Sequence, residues 1–110
     1  MPYSQNKTIK DLPEDERPRE KLLKYGADKL SDTELIAILL RTGTRGKSAI
    51  EMAEEILKSA GGTFKGLAGK DIDEITKTPG IKNAKIITVA AALEISRRVS
   101  KQILKDQGII

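Results

Sequence analysis

The chain has no histidine, no cysteine and no tryptophan among its 110 residues, and its aromatic side chains are two tyrosines and one phenylalanine. The absence of cysteine excludes disulfides. The absence of both imidazoles and thiolates excludes ordinary zinc ligand sets, and the absence of imidazoles excludes histidine-based acid–base catalysis. So few rings also argue against a platform that stacks the bases of single-stranded nucleic acid. We therefore expect no catalytic residue, no metal site and no cofactor, and the sequence predicts a protein that is not an enzyme.

The chain also has no apolar run near the roughly 18 residues of a membrane-spanning helix, and its polar N-terminus does not have the pattern of a signal peptide. We expect a cytoplasmic protein with no membrane partner. Hydrophobic residues make up 38% of the chain and charged residues 33%, with a net charge of +4. This composition suits one small domain with an aliphatic core, and the modest basic excess permits a nucleic-acid partner without requiring one.

Helix signals recur along the chain, and no segment has the alternating pattern of a strand. Pro18 suits the first turn of a helix, while Ser31 with Glu34 and Ser48 with Glu51 form two capping boxes. The sequence therefore predicts an all-α fold, a small helical bundle of five or six helices that contains one or two helix-hairpin-helix-like units.

The predicted helical domain covers residues 18–105, after an extended N-terminal arm at 1–17 and before the start of a linker at 106–110. Its last helix, at about residues 83–104, is expected to cross the core. The apolar side chains predicted to face the core from this helix are Ala84, Ile87, Ala91, Ile95 and Val99, with Val89 and Leu93 beside them.

The segment Thr78–Lys85 carries the most informative local signal. Pro79 fixes its own φ and stops the preceding helix, Gly80 admits a tight turn, and a new helix begins near Asn83. The amides after Gly80 would then point at an anion from a helix N-terminus. This layout predicts a helix-hairpin-helix, although an ordinary corner between two helices also favours Pro-Gly. The flanking charge supports the first interpretation, because residues 75–85 contain no acid and three lysines: Lys77, Lys82 and Lys85.

A second basic turn joins the second and third predicted helices and is flanked by Arg41, Arg45 and Lys47, with no acid between them. The two turns share little sequence, but each lies between a helix and a longer helix, so they predict a pseudo-symmetric pair that grips phosphates across a minor groove. A solvated loop is the alternative. We expect the side chains of Lys82 and Lys85 to be exposed. The residues predicted to contact DNA phosphates are Thr42, Gly43, Thr44, Arg45, Gly46 and Lys47 in the first turn, with Gly80, Lys82, Asn83 and Lys85 in the second.

Several runs of the sequence resemble the N-terminal domain of the bacterial RadC family, and the resemblance covers about residues 9–104. In that family a helical, helix-hairpin-helix-like domain precedes a JAB/MPN-type domain, which binds zinc through histidines and an aspartate. Because this chain has no histidine, no metal ligand can be transferred to it. The runs that carry the resemblance are Arg19–Leu23 through Gly26, Leu30–Leu35, Leu39–Thr44, Gly46–Ser48 and Pro79–Ile81.

The resemblance implies an isolated N-terminal fragment, whose partner is the missing C-terminal domain of the same protein. One departure is Lys82, which stands where the family's hairpin usually has the second glycine of Gly-Ile-Gly. The family name implies DNA repair. Two functions stay open: a sequence-independent DNA-binding module that contacts double-stranded or branched DNA through phosphates, and a structural or protein-interaction domain that positions the missing metallo domain. The local positive charge favours the first.

Overall fold

Six α-helices make up most of the chain that the computed structural model describes, which is residues 9, 12, 16–43, 46–76 and 83–110. In chain order they are α1 Pro18–Tyr25, α2 Asp32–Leu40, α3 Ala49–Ser59, α4 Phe64–Ala68, α5 Ile72–Thr76 and α6 Asn83–Asp106, with a 3-10 helix at Ala27–Lys29 after α1. Within those ranges there is no β-strand, and the prediction of a small all-α domain is confirmed.

Local hydrogen bonds at the helix starts explain these boundaries. The Ser31 Oγ accepts from the Glu34 N–H at 3.1 Å, and the Glu34 carboxylate accepts from the Ser31 N–H at 2.9 Å. Ser48 and Glu51 repeat both bonds at 3.1 Å. Pro18 lies in the first turn of α1, where a backbone donor would have no partner within the helix. Both predicted capping boxes and the predicted helix start at Pro18 are therefore confirmed.

The hydrophobic core is centred on α2 and α3, which share the largest helix–helix contact. Leu12, from the predicted arm, is buried in the same cluster, and Ile9 packs against it. The core is aliphatic, as the composition predicts, and α4, α5 and α6 close it with one or two side chains each. The buried apolar side chains of the helices in this cluster are Ile36, Ala37, Leu40, Ala49, Ile50, Met52, Ala53, Ile56, Leu57, Leu67, Ile75, Ile86 and Val89.

A buried ion pair ties α1 to α2. Glu34 is 3% exposed, and its carboxylate accepts from the Lys21 ammonium at 3.1 and 3.3 Å in addition to the Ser31 N–H. A buried carboxylate needs such partners, because an unpaired charge in a low-dielectric site is strongly disfavoured. Glu34 thus serves two purposes, since it caps α2 and also anchors α1.

The prediction for the buried side of α6 is wrong for Ile87, Ala91, Ile95 and Val99 and is confirmed for Val89 and Leu93. Ile87 and Ile95 are each 65% exposed and Val99 is 50% exposed, whereas Ile86 and Val89 are buried and Leu93 packs against the core. Ala91 is exposed as well, and the side chain of Ala84 lies outside the part that the structure describes. The helix carries apolar residues on two faces, and periodicity alone does not tell which of them the core takes.

The length of α6 explains why one of these faces stays uncovered. With 24 residues it extends for about 36 Å, while α2 and α3, with 9 and 11 residues, span only about 14 and 17 Å. The second half of α6 therefore projects beyond the core. None of the helices described, α6 included, is long and apolar enough to cross a membrane.

Candidate functional site

The first basic turn follows directly from the end of α2. Arg41 is the C-cap residue, with φ 68° and its N–H bonded to the Ala37 carbonyl, and both Arg41 and Thr42 are exposed. A Cβ on Gly43 would lie 2.1 Å from the Lys47 carbonyl oxygen, so this close approach requires glycine. Of the predicted contacts in this turn, Gly46 is exposed, and Thr44 and Arg45 lie outside the described residues.

The helix N-terminus that follows this turn already holds an anion. The capping box places the Glu51 carboxylate on the Ser48 N–H, and the Glu51 N–H itself donates to the Ser48 hydroxyl. The next two residues, Ala49 and Ile50, are buried. The start of α3 is therefore occupied by the protein's own carboxylate, and a phosphate bound at this turn would have to be held by Arg41, Thr42 and the loop amides instead.

Lys47 is engaged by a neighbouring acid. Its ammonium lies 2.7 and 2.8 Å from the two carboxylate oxygens of Glu55, and both side chains are partly exposed. An ion pair at such a site is worth little to stability, because water screens it. It does, however, reduce the positive charge that Lys47 presents to a ligand.

Lys85 joins the start of α6 to the end of α2. Its ammonium donates to the Leu40 carbonyl at 2.8 Å, to the Thr42 carbonyl at 2.5 Å and to the Thr42 hydroxyl at 3.1 Å. A cation is well placed there, because the last carbonyls of a helix lack partners and carry partial negative charge. The expectation that Lys85 is exposed is wrong, since this capping role makes the side chain half-buried.

The contact between Lys85 and Thr42 also joins α6 to the first basic turn. It connects residues 43 positions apart in the sequence, so that the start of α6 lies beside the first turn. Gly80 and Lys82 lie outside the described residues, and so does the side chain of Asn83, the first residue of α6. The predicted hairpin shape of the second turn and the predicted phosphate contacts therefore stay predictions.

Basic side chains at the start of α1, which no sequence motif indicates, lie at this end of the domain as well. Arg17 and Arg19 line a cleft of about 540 Å³ together with Arg41, Thr42 and Lys47. Glu20 is an acid on the same cleft wall. No sequence signal links the start of α1 to a turn more than 20 residues away, so only the packing of α1 against α2 reveals this grouping.

The described residues contain no group of three or more acidic side chains that could hold a metal ion. The acids of α3 nearest to the turn have caps and ion pairs as partners, as described above for Glu51 and Glu55. Burial, and then the charge of Glu51, raise the pKa of Glu54 above its ordinary value.

The sequence model of the UPF0758 N-terminal domain matches residues 9–87 of the chain. UPF0758 proteins of Syntrophomonas wolfei, Nitrosomonas eutropha and Geobacillus kaustophilus are 44%, 46% and 42% identical to it. These matches cover 88%, 93% and 93% of the chain and 41%, 45% and 45% of the three relatives. The chain thus spans less than half the length of these curated proteins. No solved structure matches it.

Proposed function

The chain belongs to the UPF0758 family, which is the RadC family, and we propose that this domain binds DNA through backbone phosphates, without sequence preference. The observation that supports this function most is the bond between Lys85 and Thr42, which places the start of α6 beside the first basic turn. Residues 41–48 and 75–85 together carry six basic residues and no acid. We infer that these charges add at one end of the domain, where Glu51 and Glu55 offset only part of them.

Phosphate contacts position a protein on DNA but carry no sequence information. The exposed side chains in the described part of the first turn are the Arg41 guanidinium and the Thr42 hydroxyl, both of which bind phosphate, and nothing in that part resembles a helix that reads base edges. If about four phosphates are neutralised, the slope of log affinity against log salt is about −3.6, and dissociation constants fall in the nonspecific range of about 10⁻⁴ to 10⁻⁶ M.

The test reverses charge at the two turns and compares it with the same change elsewhere. Because Lys85 has a structural role, the variant is Arg41→Glu with Lys82→Glu. The matched control is Lys58→Glu with Lys65→Glu, which changes the net charge equally; both lysines are exposed and lie at the end of α3 and in α4. Duplex binding is measured by fluorescence anisotropy over a series of salt concentrations, with thermal unfolding as the check that each variant is folded.

We expect the turn variant to lose affinity about ten-fold or more, and its salt slope to fall to about −1.8, because two phosphate contacts are removed. The control should keep the slope of the parent. Equal losses in both variants would mean that net charge alone attracts DNA. Unchanged binding by the folded turn variant would mean that the turns are scaffold.

We also propose that the domain has no catalytic activity of its own and works in the cytoplasm. The proposal of inactivity rests on the absence of histidine and cysteine from the sequence. Nuclease, peptidase and ATPase assays on the purified chain should give no turnover above buffer. Activity that copurifies with the chain through several separations, and that changes when its acidic residues are substituted, would contradict this proposal.

A second candidate function is a structural or protein-interaction domain that positions the rest of a longer protein, which the resemblance implies to be a metallo domain. The observation that favours it is the exposed apolar face of α6, which none of the described elements covers. The two functions use different surfaces and do not exclude each other.

A further inference from the structure

The second half of α6 presents an apolar face to solvent. Ile95 is 65% exposed, and Val99 and Ile103 are 50% exposed. Spaced by four residues, they advance about 40° per step around the helix, so the three lie within about 80° of one another. The stripe continues back through Ala91 to Ile87 and winds by about another 80° on the way. Single exposed apolar residues are ordinary, but an aligned set of this kind marks an interaction surface.

A groove at the start of this face would give a partner a place to anchor. It encloses about 820 Å³ between α6 and the α4–α5 segment, and Ile87 and Ala91 belong both to its wall and to the exposed face. Gly69, Asp71 and Ile75 line the opposite wall. The groove also has charged residues on its walls, and a groove of mixed polarity that continues into an apolar stripe fits a second protein surface better than a small ligand.

Basic residues occupy another side of the projecting half. Arg98, Lys101 and Lys105, all exposed, lie about 100° or more around the helix from Val99, while Glu94 is shared between Arg97 and Arg98 at 3.4 and 3.0 Å. The apolar face therefore turns away from these basic groups, and a partner can cover it while they stay in water.

The lengths of the relatives point to the part of the protein that covers this face. More than half of each relative lies outside the match, and the matching sequence model is that of an N-terminal domain, so the remainder follows it. The matches to the Nitrosomonas eutropha and Geobacillus kaustophilus proteins cover 102 of the 110 residues and so reach at least residue 102, whereas the N-terminal domain model stops at residue 87. The projecting half of α6 is therefore shared with proteins that continue beyond it.

We propose that the outer face of α6, formed by Ile87, Ala91, Ile95, Val99 and Ile103, is the docking surface for the C-terminal portion of UPF0758 proteins. The helix then acts as a rigid arm that fixes the orientation of that portion relative to the basic turns. This proposal rests on the second candidate function and is independent of DNA binding, since its face contains none of the residues of the turns.

The test is hydrogen–deuterium exchange on the whole Geobacillus kaustophilus protein and on the same protein shortened to the region matched by this chain. That region corresponds to the folded helical domain of this structure. A projecting helix with few tertiary contacts opens locally, so its amides exchange quickly in the short form. In the whole protein, we expect the stretch aligned with residues 94–106 to exchange about ten-fold or more slowly than in the short form, while the stretch aligned with α3 is unchanged. Equal rates for the first stretch in both forms would overturn the proposal.

Variants of the whole protein locate the protected face. Changes equivalent to Ile95→Glu and Val99→Glu should restore fast exchange, because each places a charge in the apolar contact. Changes equivalent to Lys101→Gln and Lys105→Gln lower the net charge by the same amount at exposed positions about 120° to 160° around the helix from Val99, and should leave the protection in place. Loss of protection in both pairs would also count against the proposal.

Exchange of the short form at two concentrations tests the alternative occupant. The proposal expects no dependence on concentration, and protection that grows with concentration would assign the face to a second copy and overturn it. Because no DNA is present, the result stands or falls separately from the DNA-binding experiment.

Discussion

Replacing Lys85 by methionine removes an ammonium from the contact between the start of α6 and the end of α2, and keeps most of the apolar stem. In the structure that ammonium donates to two carbonyls and one hydroxyl at the end of α2. Hydrogen bonds that involve a charged group contribute about 1.5–3 kcal/mol each when buried. The site is only half-buried, so water replaces much of what is lost, and we expect Lys85→Met to lower the free energy of unfolding by about 2 kcal/mol in total.

The assay is urea unfolding followed by far-ultraviolet circular dichroism, which suits an all-α protein. With a denaturant slope of about 1.5 kcal/mol per molar, a loss of about 2 kcal/mol lowers the midpoint by about 1 M. Lys85→Arg should recover part of the stability, because it restores the charge and the donors. Lys101→Met is the matched control, since it removes a charge from an exposed position of the same helix and should change stability by less than about 0.5 kcal/mol.

If Lys85→Met unfolded at the same urea concentration as the parent, the proposed stabilisation of the end of α2 by the Lys85 ammonium would be refuted. The bonds from the Lys85 ammonium to Leu40 and Thr42 would then contribute nothing to the free energy of unfolding. If Lys85→Met and Lys101→Met lost stability equally, the cause would be helix charge in general rather than the cap on α2.

Two further predictions concern stability. Gly43→Ala should lower the free energy of unfolding by about 2 kcal/mol, because its Cβ would lie 2.1 Å from the Lys47 carbonyl oxygen. Gly69→Ala is the control and should be close to neutral in the same urea assay, because the nearest atom to its Cβ is 3.6 Å away. Glu54→Gln should stabilise the domain at neutral pH, because burial and Glu51 raise the pKa of Glu54 and so disfavour its ionised form. A group with a raised pKa contributes stability below its unfolded-state pKa and loses it as pH rises through the folded value, so the advantage of Glu54→Gln should vanish in acid. A parent as stable as Glu54→Gln at neutral pH would contradict the sign of that shift.

Capping signals explain why the helix starts could be predicted from the sequence. A Ser-x-x-Glu pair encodes both hydrogen bonds of a capping box within four residues, so Ser31 and Ser48 specify where α2 and α3 begin. The buried face of α3, which includes Ile50, Ala53, Ile56 and Leu57, also follows from the sequence, because a short amphipathic helix has one apolar face and that face must be buried. Local patterns of this kind are sufficient where the determining interactions are themselves local.

The role of Lys85 was not predictable by the same means. Its acceptors are backbone carbonyls 43 to 45 residues away, and a carbonyl is present in every residue, so no residue type marks the partner. A lysine beside a Pro-Gly turn has the same appearance in the sequence whether it binds a phosphate or caps another helix. Only the packing of α6 against α2 distinguishes these two roles.

The prediction of which face of α6 is buried was wrong for a related reason. The helix has two apolar faces, one with Ile86 and Val89 and another with Ile95 and Val99. Which face the core takes depends on how far the short helices α2 and α3 extend beneath it. Nothing in the spacing of residues along α6 reports that distance, and the longer stripe was therefore assigned to the wrong side.

We propose that the two basic turns together form one phosphate-binding end of the domain. The most direct measurement follows the backbone amide resonances of the ¹⁵N-labelled chain as a short DNA duplex is added at low salt and again at high salt. We predict shifts confined to residues 41–48 and to the residues around the start of α6, Thr42 and Lys85 among them, with shifts that fade as salt rises. Saturating shifts located instead along Ile95, Val99 and Ile103, or no shifts at either salt concentration while the domain is folded, would contradict the claim.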